Sequence, residues 1–251
     1  DEGSWMDRLI YTALSGMQAS MDRQRVIASN MANANTIGFR AELMDQRPVT
    51  VEGTPLEARA MQVARVRKAD MAPGEIKQTG RALDIALTGN ALMAVQAEDG
   101  TEAYTRRGDL AISPNGLLVN GEGKLVLGDG GPITIPPTGI PAISPNGRVT
   151  VSDPAAPDQP PAEVGRIKLA SWVGSPIAKG LDGLFRVEGG GLLPADEEAT
   201  LHTGALEQSN VKTTEVLVEM IAAQRLFQLR TDLIGTARDV DESGAQLLRL
   251  G

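Results

Sequence analysis

Residues 7–33 read DRLIYTALSGMQASMDRQRVIASNMAN, and this stretch decides how the chain is organised. It contains no proline, and its only glycine is Gly16. Ile10, Leu14, Met17, Met21, Gln24, Ala28 and Met31 recur at alternating steps of four and three. That period keeps one stripe turned toward a neighbour, as in a heptad seam, with Gln24 as its polar interruption. The spacing predicts a helix of roughly 40 Å at about 1.5 Å per residue. Asn30, Asn33 and Asn35, followed by Gly38 and Phe39, mark its end, because Asn and Gly tolerate the left-handed turn that stops a helix. Asp1 to Trp5 precede Met6, which reads as a start residue, and they are left out of the predicted helix.

The far end carries the same signal. Thr213 to Leu250 has no proline, with glycine only at Gly235 and Gly244. Ala222, Leu226, Leu229, Leu233, Thr236, Val240, Ser243, Leu247 and Leu250 again alternate four and three, and a second stripe runs through Val216, Met220, Ala223, Phe227 and Ile234. A face broader than one seam has surface for more than one neighbour. A long helix with an uncovered seam is marginal alone, so the two termini are expected to pair.

Between them the pattern changes. Arg40 to Gly80 is broken by Pro48, Pro55 and Pro73 and reads as an extended connector. From Leu83 to Val187, short runs such as Leu83–Leu87, Leu92–Gln96, Leu117–Val119, Ile133–Ile135, Arg148–Val151 and Arg166–Ala170 alternate with Gly, Pro and Asn, as short strands do. Ile-Ser-Pro-Asn-Gly occurs twice, at 112–116 and 143–147. Pro presets φ and Gly accepts positive φ, so each copy is turn chemistry. The repeat is either a duplicated hairpin or a favourable turn used twice.

The predicted fold class is therefore α+β, with long N- and C-terminal helices packed as a coiled coil and a β-rich middle domain. The expected divisions are 6–40 for the N-terminal helix and its end, 41–80 for the connector, 81–203 for the β-rich domain and 204–251 for the C-terminal helix.

Composition removes several functions. The formal net charge is -8 and the 24 Lys and Arg residues are scattered, which disfavours nucleic acid and anionic membrane as partners. There is no cysteine, so disulfides, thiolate metal sites and cysteine nucleophiles are excluded. No apolar run approaches the ~18 residues of a membrane-spanning helix, and no apolar stretch of a cleaved secretory signal is present. His202 is the only histidine, too few for an imidazole metal site. The acidic runs Asp196–Glu198 and Asp239–Glu242 read as solvated surface. Gly116 and Gly121 have the gap of a phosphate loop, but Glu122 stands where Lys is required. No catalytic, cofactor-binding or metal-binding residues are assigned, and no small-molecule substrate is expected. Two other readings suit a helix–β–helix chain: a peptidoglycan-binding module, and a hydrolase with paired carboxylates. Aromatic content of 3% leaves little with which to line a sugar cleft.

Four segments carry a family resemblance. Ala28-Ser29-Asn30-Met31-Ala32-Asn33-Ala34-Asn35-Thr36-Ile37-Gly38-Phe39-Arg40 resembles the N-terminal signature of flagellar rod and hook proteins. Thr79-Gly80-Arg81-Ala82-Leu83-Asp84 resembles the opening of their β domain, and Tyr104-Thr105-Arg106-Arg107-Gly108 its next strands. Gly204-Ala205-Leu206-Glu207-Gln208-Ser209-Asn210-Val211, then Met220 to Phe227, resembles the C-terminal signature. Asn90-Ala91-Leu92-Met93 departs from the aromatic pattern common there, and Ala34 and Lys212 replace commoner residues. The resemblance implies a structural subunit of the periplasm-spanning basal-body rod, exported by the flagellar type III apparatus without a cleaved signal. Its start and length are most similar to proximal rod subunits, with distal rod subunits as the alternative. Other rod proteins and copies of the chain itself are the implied partners, and transmission of torque is the implied task. Ile10, Leu14, Met17, Met21, Ala28 and Met31 are then expected to meet Met220, Ile221, Gln224, Arg225, Leu226, Leu229, Leu233, Val240 and Leu247 in the assembly interface.

Overall fold

A computed structural model describes residues 2–44 and 68–249, with side chains described for 16–44, 68–232, 235 and 236. Most of the connector expected at 41–80, namely 45–67, lies outside the described residues. The chain divides into two compact units, one made of residues 1–32 and 212–251 and the other of residues 33–211.

The second unit is built from short strands. In chain order they are β1 (Glu42–Leu43), β2 (Lys68–Ala69), β3 (Ile76–Gln78), β4 (Ile85–Leu87), β5 (Ala91–Gln96) and β6 (Glu102–Thr105). Next come β7 (Leu110–Ile112), β8 (Leu118–Asn120), β9 (Leu127–Gly128), β10 (Gly131–Pro132), β11 (Ile140–Ile143) and β12 (Arg148–Ser152). The last six are β13 (Ala162–Arg166), β14 (Leu169–Ser171), β15 (Ile177–Lys179), β16 (Phe185–Val187), β17 (Leu201–Thr203) and β18 (Ala205–Glu207). The largest sheet has the order β14-β5-β6-β16-β15, and β11-β12-β13 form a three-stranded sheet. The remaining strands pair in twos, including β17 with β4 and β18 with β3, and every pairing is antiparallel. Thus the segment just before the C-terminal helix closes back on the start of the β region.

The five-stranded sheet is apolar on both faces. Met93 and Val95 enter a large core with Ile85, Leu110, Leu118, Val149 and Leu201, while Leu92 and Ala94 enter a smaller one with Tyr104, Phe185 and Leu193. A strand buried on both sides reads as an unbroken apolar run rather than an alternating one, as Ala91 to Val95 does.

The repeated pentapeptide forms the same hairpin turn twice. In each copy the glycine N–H donates to the serine carbonyl at 2.9 Å, and Gly116 and Gly147 both have positive φ. The glycine carbonyl then accepts an isoleucine N–H, from Ile135 at 2.7 Å in the first copy and from Ile167 at 2.8 Å in the second. The turns join β7 to β8 and β11 to β12.

The helical unit corrects the expected architecture. Helices α1 (Glu2–Ala32) and α2 (Thr213–Arg249) are set against eighteen strands among the described residues. Among the described residues, both apolar core clusters belong to the β unit. The chain is therefore a β-rich fold with a helix at each end, not an α+β fold organised by a terminal coiled coil. The predicted seam is not what the helices bury. On α1 the buried positions are Ser20, Ile27 and Asn30, whereas Met21 and Ala28 are exposed. On α2 the inward line is Val216, Met220, Ala223, Phe227 and Arg230, and Leu226 and Leu229 face out. The reason is physical. Ile27 has more apolar surface to hide than Ala28, which shifts the buried line of α1 by one residue, about 100° around its axis. The Arg230 guanidinium donates to the Gly16 carbonyl and the Ser20 hydroxyl, fixing the helix pair on that side. α1 also runs back to Glu2, so residues 2–5, left out of the predicted helix, are helical.

Candidate functional site

Within the β unit, the segment that follows α1 and the segment that precedes α2 meet around a buried cluster of charge. After Ala32 the chain turns at Asn33, whose carbonyl accepts the Thr36 N–H at 3.1 Å and whose side chain accepts the Thr36 hydroxyl at 3.1 Å. Gly38 follows with φ 67, in the left-handed region. A Cβ there would lie 2.5 Å from the Arg106 carbonyl group, so both conformation and space require glycine. The Gly38 N–H donates to the Glu207 carbonyl at 2.8 Å, and Ala41 N–H donates to the Asn210 side chain at 2.7 Å. The Asn210 amide donates in turn to the carbonyls of Asp70 and Ala72, both at 2.9 Å.

Glu207 is the centre. Its carboxylate lies 2.7 Å from the Arg40 guanidinium and 2.6 Å from that of Arg106, and all three side chains are at most 2% exposed. Its Oε1 also accepts the Gly74 N–H at 2.8 Å. Arg106 spends its other donors on the carbonyls of Leu87, Gly89 and Ala91, at the end of β4 and the start of β5. Burial draws the Arg40 guanidinium below its ordinary pKa, with Glu207 opposing that and Arg106 adding to it. A third cation closes the group. The Lys179 ammonium stands 3.3 Å from the centre of the Phe39 ring, donates to the Arg40 carbonyl at 2.9 Å and lies 3.8 Å from Glu42. Ammonium over an aromatic face is attractive, the more so when desolvated.

These residues span most of the chain and draw together its recurrent motifs. Of the four segments quoted above, Phe39 and Arg40 end the first, Arg106 sits in the third, and Glu207 and Asn210 lie in the fourth. The family models match the same segments. Residues 10–40 match the family described as flagella basal body rod protein, 86–151 the flagellar hook protein FlgE/F/G D1 domain, and 202–247 the flagellar basal body rod FlgEFG protein C-terminal region. The chain is 39% identical to the flagellar basal-body rod protein FlgF of Salmonella typhimurium, covering 98% of this chain and 100% of that protein. It is 38% identical to the Escherichia coli FlgF with the same coverage, and 31% identical to the Bacillus subtilis rod protein FlgG over 97% of this chain and 100% of that one. The chain belongs to the flagellar basal-body rod protein family.

It is a structural rod subunit of the flagellar basal body. In this rod subunit each of the three matched segments supplies one member of the ion cluster: Arg40, Arg106 and Glu207. The signature residues are thus largely interior. Asn30 and Gly38 are buried, Asn33 and Phe39 are half-buried, and Asn35 is exposed. Of the residues expected at the assembly interface, Met17, Met31 and Met220 are half-buried, while Met21, Ala28, Ile221, Gln224, Arg225, Leu226 and Leu229 are exposed. The side chains of Ile10, Leu14, Leu233, Val240 and Leu247 lie outside the described residues.

The buried ion group was not singled out from sequence, although its members stood in the quoted motifs. A charged residue in a motif gives no sign of being interior until its partners, far away along the chain, are placed beside it. The other candidates are local. His202 is exposed on β17, and Asp196 accepts the N–H groups of Glu198 and Ala199 in a turn. Asn120 holds the Gly121–Lys124 turn by accepting the N–H groups of Glu122 and Lys124. No helix among the described residues is long and apolar enough to cross a membrane.

Proposed function

We propose that this subunit joins the rod through the outer face of α2, with copies of itself and other rod proteins as neighbours, and that its role is mechanical rather than catalytic. One observation carries the reading. α2 buries one stripe and leaves Leu217, Val218, Ile221, Leu226 and Leu229 at 36–67% exposure. A helix apolar on more than one side needs more than one partner, and a contiguous exposed apolar patch marks an interaction surface. Met21 on α1, also half exposed, adds to the supply of uncovered side chains. Gln224 and Arg225 supply the polar contacts that fix the register of neighbours. Both buried arginines bind the Glu207 carboxylate and Arg106 also binds main-chain carbonyls, which suits a role in holding shape under torque. The reading includes type III export and a position in the proximal rod; a distal position is the alternative, since FlgG proteins are relatives as well.

Leu229→Asp tests the proposal, because it places a charge on the exposed face without touching either core. The expected result is a folded chain that fails to enter rods and leaves cells non-motile. Normal rod assembly by this variant would refute the proposal. Binding of peptidoglycan fragments by a monodisperse, non-assembling chain would favour the wall-binding reading instead.

A further inference from the structure

The two Ile-Ser-Pro-Asn-Gly turns are built alike but are covered differently. In the second copy the Pro145 carbonyl accepts the Leu201 N–H at 2.9 Å, and Ile143 and Leu201 share one buried cluster. In the first copy Ile112 is 39% exposed, against 7% for Ile143. Among the described residues the Pro114 carbonyl accepts no hydrogen bond. Both turns close with the same Ser-to-Gly bond, and both glycine carbonyls are occupied. The difference therefore lies in what covers the turn. The second copy also specifies the chemistry of a cover: an extended segment in which one residue supplies both a main-chain N–H and a large apolar side chain.

The chain displays such a segment. β3 pairs with β18 alone among the described residues. The bonds from Gln208 N–H to the Glu75 carbonyl and from Thr79 N–H to the Gly204 carbonyl direct the main chain of Glu75 and Thr79 toward β18. In an antiparallel ladder these groups alternate, so those of Ile76 and Gln78 point to the open edge. Ile76 itself is 45% exposed.

We infer that the β3 edge of one subunit docks on the Ile112–Gly116 turn of a second copy of this chain, with Ile76 N–H on the Pro114 carbonyl and the Ile76 side chain on Ile112. The inference rests on the assembly reading above. The two patches differ, so the contact is heterologous and repeats head to tail instead of closing into a dimer. Addition of an extended segment through its main chain, with a side chain for specificity, is a general recognition mode.

The chain has no cysteine, so Ile76→Cys and Ile112→Cys each introduce a single thiol. Cells producing both variants assemble mixed rods, which are then treated with a short bis-maleimide. The expected product is a covalent dimer joined between the peptides containing positions 76 and 112, absent from rods carrying either variant alone. Mixed rods without that dimer, or a double variant that closes within one chain, would overturn the inference. Ile112→Asp gives an independent measure: unchanged monomer stability, with incorporation into rods reduced on the order of tenfold. Normal incorporation of Ile112→Asp beside failure of Leu229→Asp would sink the docking site and leave the α2 reading standing. Normal incorporation of Leu229→Asp would remove that reading instead.

Discussion

The β unit hides charge, whereas α2 displays apolar side chains. In the first region Arg40, Arg106 and Glu207 are essentially inaccessible. In the second, Val218 is 67% exposed and Leu229 61%. Both invert the usual partition of residues between core and surface. The inversion in the β unit is answered within one chain, because the Glu207 carboxylate meets both guanidinium groups, although Nε and Nη1 of Arg40 are buried without a hydrogen-bond partner. The inversion on α2 is left open, because nothing among the described residues covers the outer stripe. A charge buried with its partner is specific in geometry and costly to break, which suits a part that must hold its shape. An uncovered apolar stripe gains free energy only on association, which suits a part that must wait for neighbours.

The largest effect is expected at the centre of the buried group. Glu207→Ala leaves two guanidinium groups interior without their carboxylate and should destabilise the β unit by about 3–5 kcal/mol in urea unfolding. A loss below about 1 kcal/mol would mean that water reaches the arginines and that the cluster does not hold the segments together. Gly38→Ala comes next, at about 2–3 kcal/mol, since a methyl group is placed in the left-handed region against the Arg106 main chain. Lys179→Met keeps the stem but removes the bond to the Arg40 carbonyl and the charge over Phe39, for about 1–2 kcal/mol. Thermal unfolding of these variants should preserve that ranking.

The smallest effect belongs to the partly exposed pair Asp182–Arg186, whose closest approach is 2.7 Å. Burial alone would raise the Asp182 carboxyl, but the Arg186 guanidinium and the Leu184 N–H outweigh it and hold the group below its ordinary value. A depressed carboxyl stabilises the fold above its unfolded-state pKa, and that contribution is lost as pH falls through the folded value. Asp182→Asn should therefore cost less than about 1 kcal/mol at neutral pH, and nothing once the medium is acid enough to protonate Asp182 in the folded chain. An equal cost at both pH values would show that the pair acts through packing.

The same contrast explains what could be read from sequence. Strands were legible where a Val, Ile or Leu run met turn chemistry, as in the two Ile-Ser-Pro-Asn-Gly hairpins. The stop after Asn33 was legible because Gly38 demands positive φ. The side of each helix that turns inward was not. Adjacent stripes on α2 share the same four-three period, and periodicity ranks neither above the other. The choice depends on Ile27 and on the reach of Arg230 to Gly16 and Ser20, which are tertiary matters. Overweighting that period also made a coiled coil the predicted frame of a chain whose core is β. Glu207 was illegible for a related reason. Its partners Arg40 and Arg106 come from distant segments, and a buried ion pair leaves no local pattern.

The central claim is that the outer face of α2 is covered in the rod and open in the free subunit. Leu229→Cys places one thiol on that face of a cysteine-free chain, and maleimide labelling reads its accessibility in both states. Rapid labelling of the purified subunit and strong protection in assembled rods is the predicted result. Equal labelling in the two states would contradict it.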